Sequence, residues 1–350
     1  MKIINISQNR EWNKLIKSFA DWDIYYLNEY VQSLAIHGDG EPLLIYFESE
    51  HAKMAYIMMQ NDIAEMESFR NKLPHGKLYD WTTPYGYGGP LYDGVITSEW
   101  LKKCMGELCE YAKQKHIVSQ FFRFHPLLQN QIPVEEEMRV LYTKKTVYID
   151  TASMDEIMKN MTPNNRNMVR KAEKNGINIF WDKGERLHEF EWIYKKTMEL
   201  HQADTYYNFE DNYFQYIIEH MKKNIIFFYA TYENKIISSS IFFYNNNYMH
   251  YHLSGTLPEY RSMAAANLLL TQAAYWACEH GIKKLHLGGG VGVDDSLLRF
   301  KKHFNRKGCI DFCIGANIFD QQKFNKLVKI RKEIDADFDV NKKYMILYRA

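Results

Sequence analysis

The chain has few cysteines, no targeting segment and no long apolar run. Its five cysteines, Cys104, Cys109, Cys278, Cys309 and Cys313, contain no CxxC pair. That pattern argues against a disulfide framework or a zinc site and indicates reduced, buried thiols. The opening segment MKIINISQNREWNKLIK has no apolar signal core, and no run approaches the roughly 18 apolar residues of a membrane span. We therefore expect a cytoplasmic protein without an integral membrane segment.

Charge of one sign is not in excess either, since 44 Lys and Arg residues oppose 43 Asp and Glu residues. Nucleic-acid binders that act through bulk charge usually show a basic excess. The sequence thus predicts no DNA partner, although a local basic site is allowed. It also has no G-x-S-x-G nucleophile motif and no P-loop.

A repeat is the main organising feature. The 350 residues are 46% hydrophobic and 25% charged, which suits two ordinary soluble domains. A hairpin (42–60), a helix (97–116) and a strand (117–124) are echoed by a later hairpin, helix and strand that follow residue 224. In both copies an alanine, Ala112 or Ala277, lies five residues before the isoleucine at the start of the strand. We predict two copies of one α/β unit, as domains 1–150 and 151–350, with the last helix a candidate to pack back on the first domain.

The stretch 248–304 combines a strand (248–254), an alanine-rich helix start and a second strand that ends in three glycines. Ala264 and Ala265 have small side chains, so a ligand could reach the N–H groups at the helix start. Such groups favour a phosphate or a carbonyl oxygen. This stretch supplies the donor-binding candidates Ser254, Gly255, Arg261, Ala264, Ala265, Gly288, Gly289 and Lys301.

Alternation along the first of these strands assigns its faces. Tyr248, His250, His252 and Ser254 should share one face, with Met249, Tyr251 and Leu253 in the core. His252 is then a candidate proton acceptor, and its alternative role is that of a hydrogen-bonded structural histidine. A metal site built from His250, His252 and His286 is not expected, because no nearby cysteine or carboxylate completes it.

Two further segments are binding candidates. The loop DWTTPYGYGGPLYDG (80–94) is rich in glycine and tyrosine, and either forms a tight turn on the core or binds a ligand. The helix TPNNRNMVRKAEKNG (162–176) is capped by Thr162 and ended by Gly176. It carries Arg166 and Arg170 one turn apart, as a phosphate clamp or as a solvated basic face.

Five motifs together carry a family resemblance. They are TPYGYGGP (83–90), RFHP (123–126), NNRNMVRKAEKNGI (164–177), YHLSGT (251–256) and LLRFKKHF (297–304). Their order over residues 20 to 320 resembles the Fem-type peptidoglycan-bridge aminoacyltransferases, and the wider FemAB-like or BioF2-like proteins with a GNAT acyltransferase domain. The resemblance implies an α/β, mixed-sheet fold with two tandem GNAT-like domains.

The sequence departs from the family pattern at three places. His125 stands where the bridge enzymes read aspartate in RFDP, and the coiled-coil arm of some Fem proteins is absent. The pyrophosphate loop of acetyl-CoA-dependent GNAT enzymes reads close to R/Q-x-x-G-x-G/A, whereas this chain has Arg261-Ser262-Met263-Ala264-Ala265-Ala266. The missing glycines leave the identity of the acyl donor open.

The resemblance implies attack of a neutral amine on an ester or thioester carbonyl, which needs proximity, N–H donors and a proton acceptor. His252 and His125 are the catalytic candidates. The acceptor-binding candidates are Tyr85, Tyr87, Gly88, Arg123, Arg166, Arg170 and Tyr206. No metal and no tightly bound cofactor are expected.

Three functions stay open. The first is transfer of an aminoacyl group from aminoacyl-tRNA to an amine of a peptidoglycan precursor. The second is acetyl-CoA-dependent N-acetylation of an amino sugar or small amine, and the third is a non-catalytic GNAT-fold binding protein. The expected partners are a cell-envelope precursor or amino-sugar acceptor, with tRNA as a further candidate.

Overall fold

A computed structural model describes residues 1–290, 292 and 294–350 of the chain. It divides into two compact units. Unit 1 comprises Met1–Thr143 and Phe312–Ala350, and unit 2 comprises Lys144–Asp311. The domain boundary predicted after residue 150 lies a few residues inside unit 2. Among the described residues, no helix has the length and apolar character needed to cross a membrane.

The strands follow the chain in two similar series. In chain order they are β1 (Lys2–Asn5), β2 (Glu41–Glu48), β3 (Ala52–Asp62), β4 (Tyr79–Thr82), β5 (Leu91–Gly94), β6 (Ile117–Arg123), β7 (Arg139–Asp150), β8 (Asn178–Asp182), β9 (Ile225–Tyr232), β10 (Lys235–Tyr244), β11 (Tyr248–Thr256), β12 (Lys284–Gly289) and β13 (Cys309–Ile318).

The helices fill the intervals between the strands. They are α1 (Asn9–Ile16), α2 (Asn28–His37), α3 (Ser98–Gln114), α4 (Met154–Asn160), α5 (Pro163–Lys174), α6 (Leu187–Leu200), α7 (Asp211–His220), α8 (Ala265–Glu279), α9 (Ser296–Lys302) and α10 (Gln321–Ile334). Among the shorter 3₁₀ turns, Thr205–Tyr207 follows α6 and Pro258–Met263 precedes α8.

Both units have the same strand order and pairing directions. In unit 1 the order is β1-β2-β3-β4-β6-β13, with β5 also paired to β3; in unit 2 it is β8-β9-β10-β11-β12-β7. The fourth and fifth strands of each series, β4 with β6 and β11 with β12, pair in parallel, and the other neighbours pair antiparallel. This agreement is the structural form of the repeat that the sequence predicts.

In each sheet, the last strand does not come next to its neighbour in the order of the sequence. β7 closes the sheet of unit 2 although it precedes the other strands of that sheet. β13 closes the sheet of unit 1 by pairing with β6, although all of unit 2 lies between them in the chain. Unit 1 is therefore built from two separated segments, and unit 2 from one.

Each sheet is covered by a helix whose sequence explains its position. In unit 1, the Thr97 side chain caps α3, whose buried residues Leu101, Cys104, Leu108 and Ala112 repeat at helical spacing. In unit 2, α8 buries most of its length, including Leu268, Leu269 and Leu270. A fully buried leucine side chain contributes about 1.5–3 kcal/mol, so this helix fixes the core of unit 2.

A buried polar network ties the C-terminal segment to unit 1. The Asp80 carboxylate, 1% exposed, accepts two hydrogen bonds from the Arg349 guanidinium, at 2.6 and 2.5 Å. It also accepts one from the Tyr348 hydroxyl at 2.8 Å, and Tyr348 in turn pairs with Ser119. Because a buried carboxylate without a partner is costly, these contacts hold residues 348 and 349 in place.

Candidate active site

Two parallel strands of unit 2 diverge after a short ladder. β11 and β12 pair at Tyr248–Lys284, Met249–Leu285 and His250–His286. Beyond that point each strand carries an irregularity on its other side. The register of β11 against β10 skips His252, and the register of β12 against β7 skips Leu287. A bulge bends a strand and increases its twist, and the pairing of β11 with β12 ends at this level.

The bulge at His252 also changes which side chains share a face. Alternation predicts Ser254 on the face of His252 and opposite Tyr251. In the structure the Tyr251 hydroxyl instead donates a hydrogen bond to the Ser254 Oγ at 2.6 Å. The predicted face of Ser254 is therefore wrong, because the extra residue reverses the alternation that follows it. Its predicted contact with a donor stays a prediction. Burial raises the pKa of the Tyr251 hydroxyl, which keeps this side chain a proton donor.

Lys301 projects a buried ammonium group into the region where the strands diverge. Its Nζ donates to the carbonyl oxygen of Gly289, at the end of β12, over 2.7 Å. The same Nζ lies 5.8 Å from the centre of the Tyr251 ring on β11. α9 positions it, since Asp295 caps this helix and Leu298 anchors it in the core. The two strand ends and α9 thus converge on one cation.

Burial makes this lysine chemically unusual. Lys301 is 7% exposed, and its desolvation lowers the pKa of the ammonium to about 8, against a smaller opposing effect of Asp295. A lysine with this pKa exchanges its proton near neutral pH, whereas an exposed lysine stays charged. Lys301 can therefore act as a hydrogen-bond donor in one step and as a proton acceptor in another.

The start of α8 has no side-chain cap. Its N-cap residue, Ala264, has a left-handed backbone (φ 62°, ψ 29°), and its methyl side chain cannot accept a hydrogen bond from the first turn. The N–H groups of a helix start carry partial positive charge and are favourable to a phosphate or a developing oxyanion. Ala264 and Ala265 are buried, and exposed Arg261 precedes them, with its guanidinium 2.9 Å from the His201 imidazole.

A pair of asparagines links this helix start to α5. The Asn267 amide donates to the Asn165 Oδ1 over 2.6 Å, and Asn165 is 1% exposed. Asn165 itself lies in the first turn of α5, whose cap is Thr162 as the sequence predicts. The basic helix is therefore packed against the helix that opens at the candidate donor site.

His252 is held neutral rather than basic. Burial, and to a lesser degree His250, lower its pKa to about 3. Its Nε2 lies 2.9 Å from the Tyr213 hydroxyl, and its ring packs against Phe243 with centroids 4.6 Å apart. An imidazole with this pKa accepts a proton poorly at neutral pH, so this geometry favours a hydrogen-bonding role. Its catalytic role stays a prediction.

Gly255 permits a close approach between β11 and α6. A Cβ at this position would lie 2.8 Å from the Ile193 carbonyl oxygen and 2.8 Å from the Thr197 Oγ1. The Thr197 hydroxyl accepts from the Thr256 N–H at 3.2 Å. Gly255 thus serves helix packing, while the predicted contact of Gly288 and Gly289 with a donor stays untested.

The glycine-rich loop of unit 1 is a packed structure. Gly88 donates to the Arg123 carbonyl, and the Arg123 guanidinium donates to the Thr83 carbonyl. Gly86 and Gly89 have φ values of 86° and 90°, which favour glycine. The tyrosines differ: the Tyr85 carbonyl accepts from Tyr30, while the Tyr87 ring packs 5.8 Å from Tyr25. Binding of an acceptor by these residues stays a prediction.

His125 makes contacts on both ring nitrogens within unit 1. Its Nδ1 accepts from the Leu128 N–H at 3.3 Å, and its Nε2 lies 3.3 Å from the Asp23 carboxylate. Both side chains are fully buried. His125, which stands where the Fem motif has aspartate, therefore has a carboxylate beside it. Its catalytic role stays a prediction.

Arg166, Arg170 and Tyr206, predicted to bind the acceptor, all belong to unit 2. The Arg166 guanidinium donates to the carbonyls of Met158 and Met161, at the end of α4. Arg170 is exposed and donates to the Asn167 amide oxygen. Tyr206 is half-buried in the 3₁₀ turn after α6 and packs on Tyr207.

Sequence reasoning missed Tyr251 and Tyr213. Alternation predicts Tyr251 in the core, and the structure packs it against the core of unit 2, but the pattern does not predict that its ring centre lies 5.8 Å from the Lys301 ammonium. Its position inside the YHLSGT motif was the available signal. Tyr213, the partner of His252, lies on α7 and had no comparable signal, because the contact joins residues 39 positions apart.

Comparisons with known proteins give a family domain and a fold. Residues 160–302 match the family model for an acetyltransferase (GNAT) domain. A sequence search of curated proteins found no significant match. FemX is similar in structure, with 14% identity, a TM-score of 0.66, and coverage of 93% of this chain and 99% of that chain. L-PGS from Bacillus licheniformis is 12% identical with a TM-score of 0.53, covering 93% and 96% of the two chains.

These matches confirm the predicted resemblance to FemAB-like proteins with a GNAT acyltransferase domain. They also confirm the α/β fold class with tandem GNAT-like architecture, since residues 160–302 match a GNAT domain and the strand order of unit 2 recurs in unit 1. The diverging strands, Lys301 and the start of α8 all lie within the matched domain.

Proposed function

Starting from a chain that carries a GNAT domain and the fold of FemX, we propose that it is an N-acyltransferase of the Fem type. It transfers an aminoacyl group from aminoacyl-tRNA to an amine of a peptidoglycan precursor, in the cytoplasm. The observation that supports this most is the Lys301 ammonium, placed between the Gly289 carbonyl and the Tyr251 ring where β11 and β12 diverge.

In the proposed reaction the neutral amine of the acceptor attacks the ester carbonyl of the donor. A C–N bond forms, the carbonyl oxygen becomes negative, and the C–O bond to the ribose then breaks. Protonated Lys301 donates to the oxyanion and gives its proton to the departing ribose oxygen. It recovers a proton from the new ammonium, so that charge and protons balance. A pKa of about 8 suits both transfers.

Neighbouring groups complete the proposed donor site. The Ser254 hydroxyl, which accepts from the Tyr251 hydroxyl and keeps its own proton, is the proposed second donor to the reacting carbonyl. The N–H group of Ala265, in the first turn of α8, and the exposed Arg261 are the proposed contacts for the terminal phosphate of the donor, while the Ala264 N–H already donates to the Arg261 carbonyl. On the acceptor side, the proposal retains Tyr85, Tyr87, Gly88 and Arg123 of unit 1 as binding residues.

An acetyl-CoA-dependent N-acetyltransferase is the second candidate, because the matched family model describes an acetyltransferase domain. Its acyl donor would present a pyrophosphate to the same helix start. The left-handed conformation of Ala264 places a side chain where the glycine pattern of acetyl-CoA enzymes has none. This difference favours the aminoacyl donor in our proposal.

A donor competition tests the two candidates. The purified protein is mixed with a peptidoglycan precursor pentapeptide and an amino sugar, and with either labelled aminoacyl-tRNA or labelled acetyl-CoA. Label passing from aminoacyl-tRNA to the pentapeptide supports the proposal, and label passing only from acetyl-CoA replaces it by the second candidate. Lys301→Met should lower the transfer by about 10²–10⁴, while Lys302→Met, at a half-buried neighbour paired with Asp294, is the matched control. Transfer from neither donor, with ligand binding retained, would indicate a binding protein.

A further inference from the structure

A strongly basic surface lies outside the candidate active site in unit 2. Apart from the buried Lys301, the segments 154–175 and 294–307 hold nine Lys or Arg residues against five Asp or Glu residues, while the whole chain has a net charge of only +1. Positive charge is therefore concentrated in about a tenth of the sequence. We define the α5–α9 basic surface as Arg166, Arg170, Lys171, Lys174, Arg306 and Lys307.

Hydrogen bonds show that the two segments are adjacent. Thr162, the cap of α5, donates its N–H to the carbonyl of His303, which follows α9, at 3.0 Å. The Arg306 guanidinium donates to the Lys159 carbonyl at 2.8 Å, and its N–H donates to the Asn160 carbonyl at 3.0 Å. Arg166 donates to carbonyls at the same end of α4. Two guanidinium groups thus meet at one helix terminus.

The outer face of α5 is free of large apolar side chains. Its exposed positions are Pro163, Asn164, Asn167, Arg170, Lys171, Glu173 and Lys174, while Val169 and Ala172 face the core. A surface that inserts into a membrane combines cations with exposed bulky apolar residues. A surface that follows a nucleic-acid backbone combines arginine and lysine with amide donors, as this one does. The composition therefore favours RNA over a lipid surface.

From these observations we propose that the α5–α9 basic surface binds the RNA body of the acyl donor by contacts with its phosphates. The inference rests on the proposed function and deepens it. It also moves Arg166 and Arg170 from the predicted acceptor side to the donor side, because α5 packs on α8, whose start is the proposed seat of the donor end. The surface would contact an RNA-linked donor but not a coenzyme donor, because a coenzyme has no RNA chain to reach it.

The test uses one charge-reversal triple and one matched control. Arg170→Glu, Lys171→Glu and Lys174→Glu change three exposed cations of α5. Lys102→Glu, Lys103→Glu and Lys113→Glu make the same charge change on the exposed face of α3 in unit 1. Binding to an RNA hairpin shaped as an acceptor stem is measured by fluorescence anisotropy over a series of salt concentrations, after circular dichroism has shown that both variants are folded.

We expect the α5 triple to weaken RNA binding at least tenfold, and the α3 triple to change it by less than a factor of about three. The slope of log Kd against log salt should fall by about 2 for three lost phosphate contacts. Equal losses in both variants, or no loss in either, would overturn the inference. Loss of binding to phosphatidylglycerol vesicles with RNA binding unchanged would overturn it in favour of a membrane surface.

A kinetic arm separates this inference from the proposed function. A minimal donor, an aminoacyl ester of a short 3′-terminal dinucleotide, lacks the RNA body. The α5 triple should raise KM for aminoacyl-tRNA tenfold or more and leave transfer from the minimal donor unchanged. If the wild-type protein transfers from both donors and the triple changes neither KM, the surface assignment fails while the function stands. If the wild-type protein transfers from neither donor, the proposed function itself fails.

Discussion

The Lys301 ammonium lies 2.7 Å from the carbonyl oxygen of Gly289, which places a buried cation at the end of β12. A backbone carbonyl stabilises a cation less than a carboxylate does, since it carries only a partial charge. The lysine is therefore destabilised in its charged form, and this property connects the stability of unit 2 with its proposed chemistry.

Replacing this lysine should separate stability from activity. Lys301→Met keeps the apolar stem and removes the buried charge, so the free energy of unfolding at pH 7 should rise by about 1–3 kcal/mol. Transfer should fall by about 10²–10⁴, the usual contribution of a positioned acid or base. Urea unfolding and the labelled-donor assay measure the two effects. A variant that is more stable and fully active would show that Lys301 takes no part in the reaction.

The same lysine predicts how stability depends on pH. Its pKa in the folded protein, about 8, lies below the ordinary value of 10.5, so between these pH values the unfolded chain binds more protons. The free energy of unfolding should therefore receive a contribution from Lys301 that increases from pH 8 to pH 10.5, by up to about 3 kcal/mol. Comparing wild type with Lys301→Met isolates it from the other lysines and tyrosines. Parallel curves for the two proteins over this range would contradict the assignment.

His252 predicts a change at acid pH. Because its pKa falls from 6.5 to about 3 on folding, the unfolded chain binds the extra proton between these values. Stability should therefore be lost as the pH falls below 6.5, by about 2–3 kcal/mol at pH 4. His252→Gln should reduce this loss, and the NMR signals of the His252 ring should show a neutral imidazole at pH 5. A protonated ring at pH 5 would contradict the prediction.

Ala264 offers a test of backbone strain at the start of α8. A non-glycine residue in the left-handed region is strained by about 1 kcal/mol, so Ala264→Gly should raise the free energy of unfolding by about 0.5–1 kcal/mol. The adjacent control, Ala265→Gly, lies in helical conformation and should lower it by a similar amount. Thermal unfolding distinguishes the two. The same change in both variants would mean that the left-handed conformation of Ala264 has no energetic consequence.

Gly255 tests the contact between β11 and α6. A Cβ at this position would approach a backbone carbonyl to 2.8 Å, so Gly255→Ala must displace α6 or the strand. We expect a loss of about 1–3 kcal/mol, as for other overpacked sites. Gly106→Ala is the control, because Gly106 lies in α3 with open space around it and should gain about 0.5–1 kcal/mol. Tolerance of Gly255→Ala without loss of stability would show that this contact is loose.

Much of the fold follows from patterns that the sequence displays. Helix punctuation at Thr162 predicts the start of α5, and the structure shows this side chain as the cap. The spacing of alanine and isoleucine that indicates two copies corresponds to α3 with β6 and α8 with β12. These features depend on local chemistry or on repetition, and both can be read along the chain.

The candidate site is less predictable, because it depends on departures from regular structure. The bulge at His252 leaves no mark in a pattern of alternating residues, yet it decides that Tyr251 meets Ser254. The buried state of Lys301 is equally hidden, since its neighbour Lys302 is only half-buried and the sequence treats the two alike. Position in the packed unit, and not residue type, sets their different chemistry.

The interrupted layout of unit 1 has a consequence for synthesis on the ribosome. Unit 2 is one continuous segment and is complete once residue 311 has left the ribosome, while unit 1 still lacks the strand that follows and the partners of Asp80. The half of the protein that is translated first is therefore finished last. During that interval the Asp80 carboxylate lacks two of the side chains that pair with it, because residues 348 and 349 follow unit 2 in the chain.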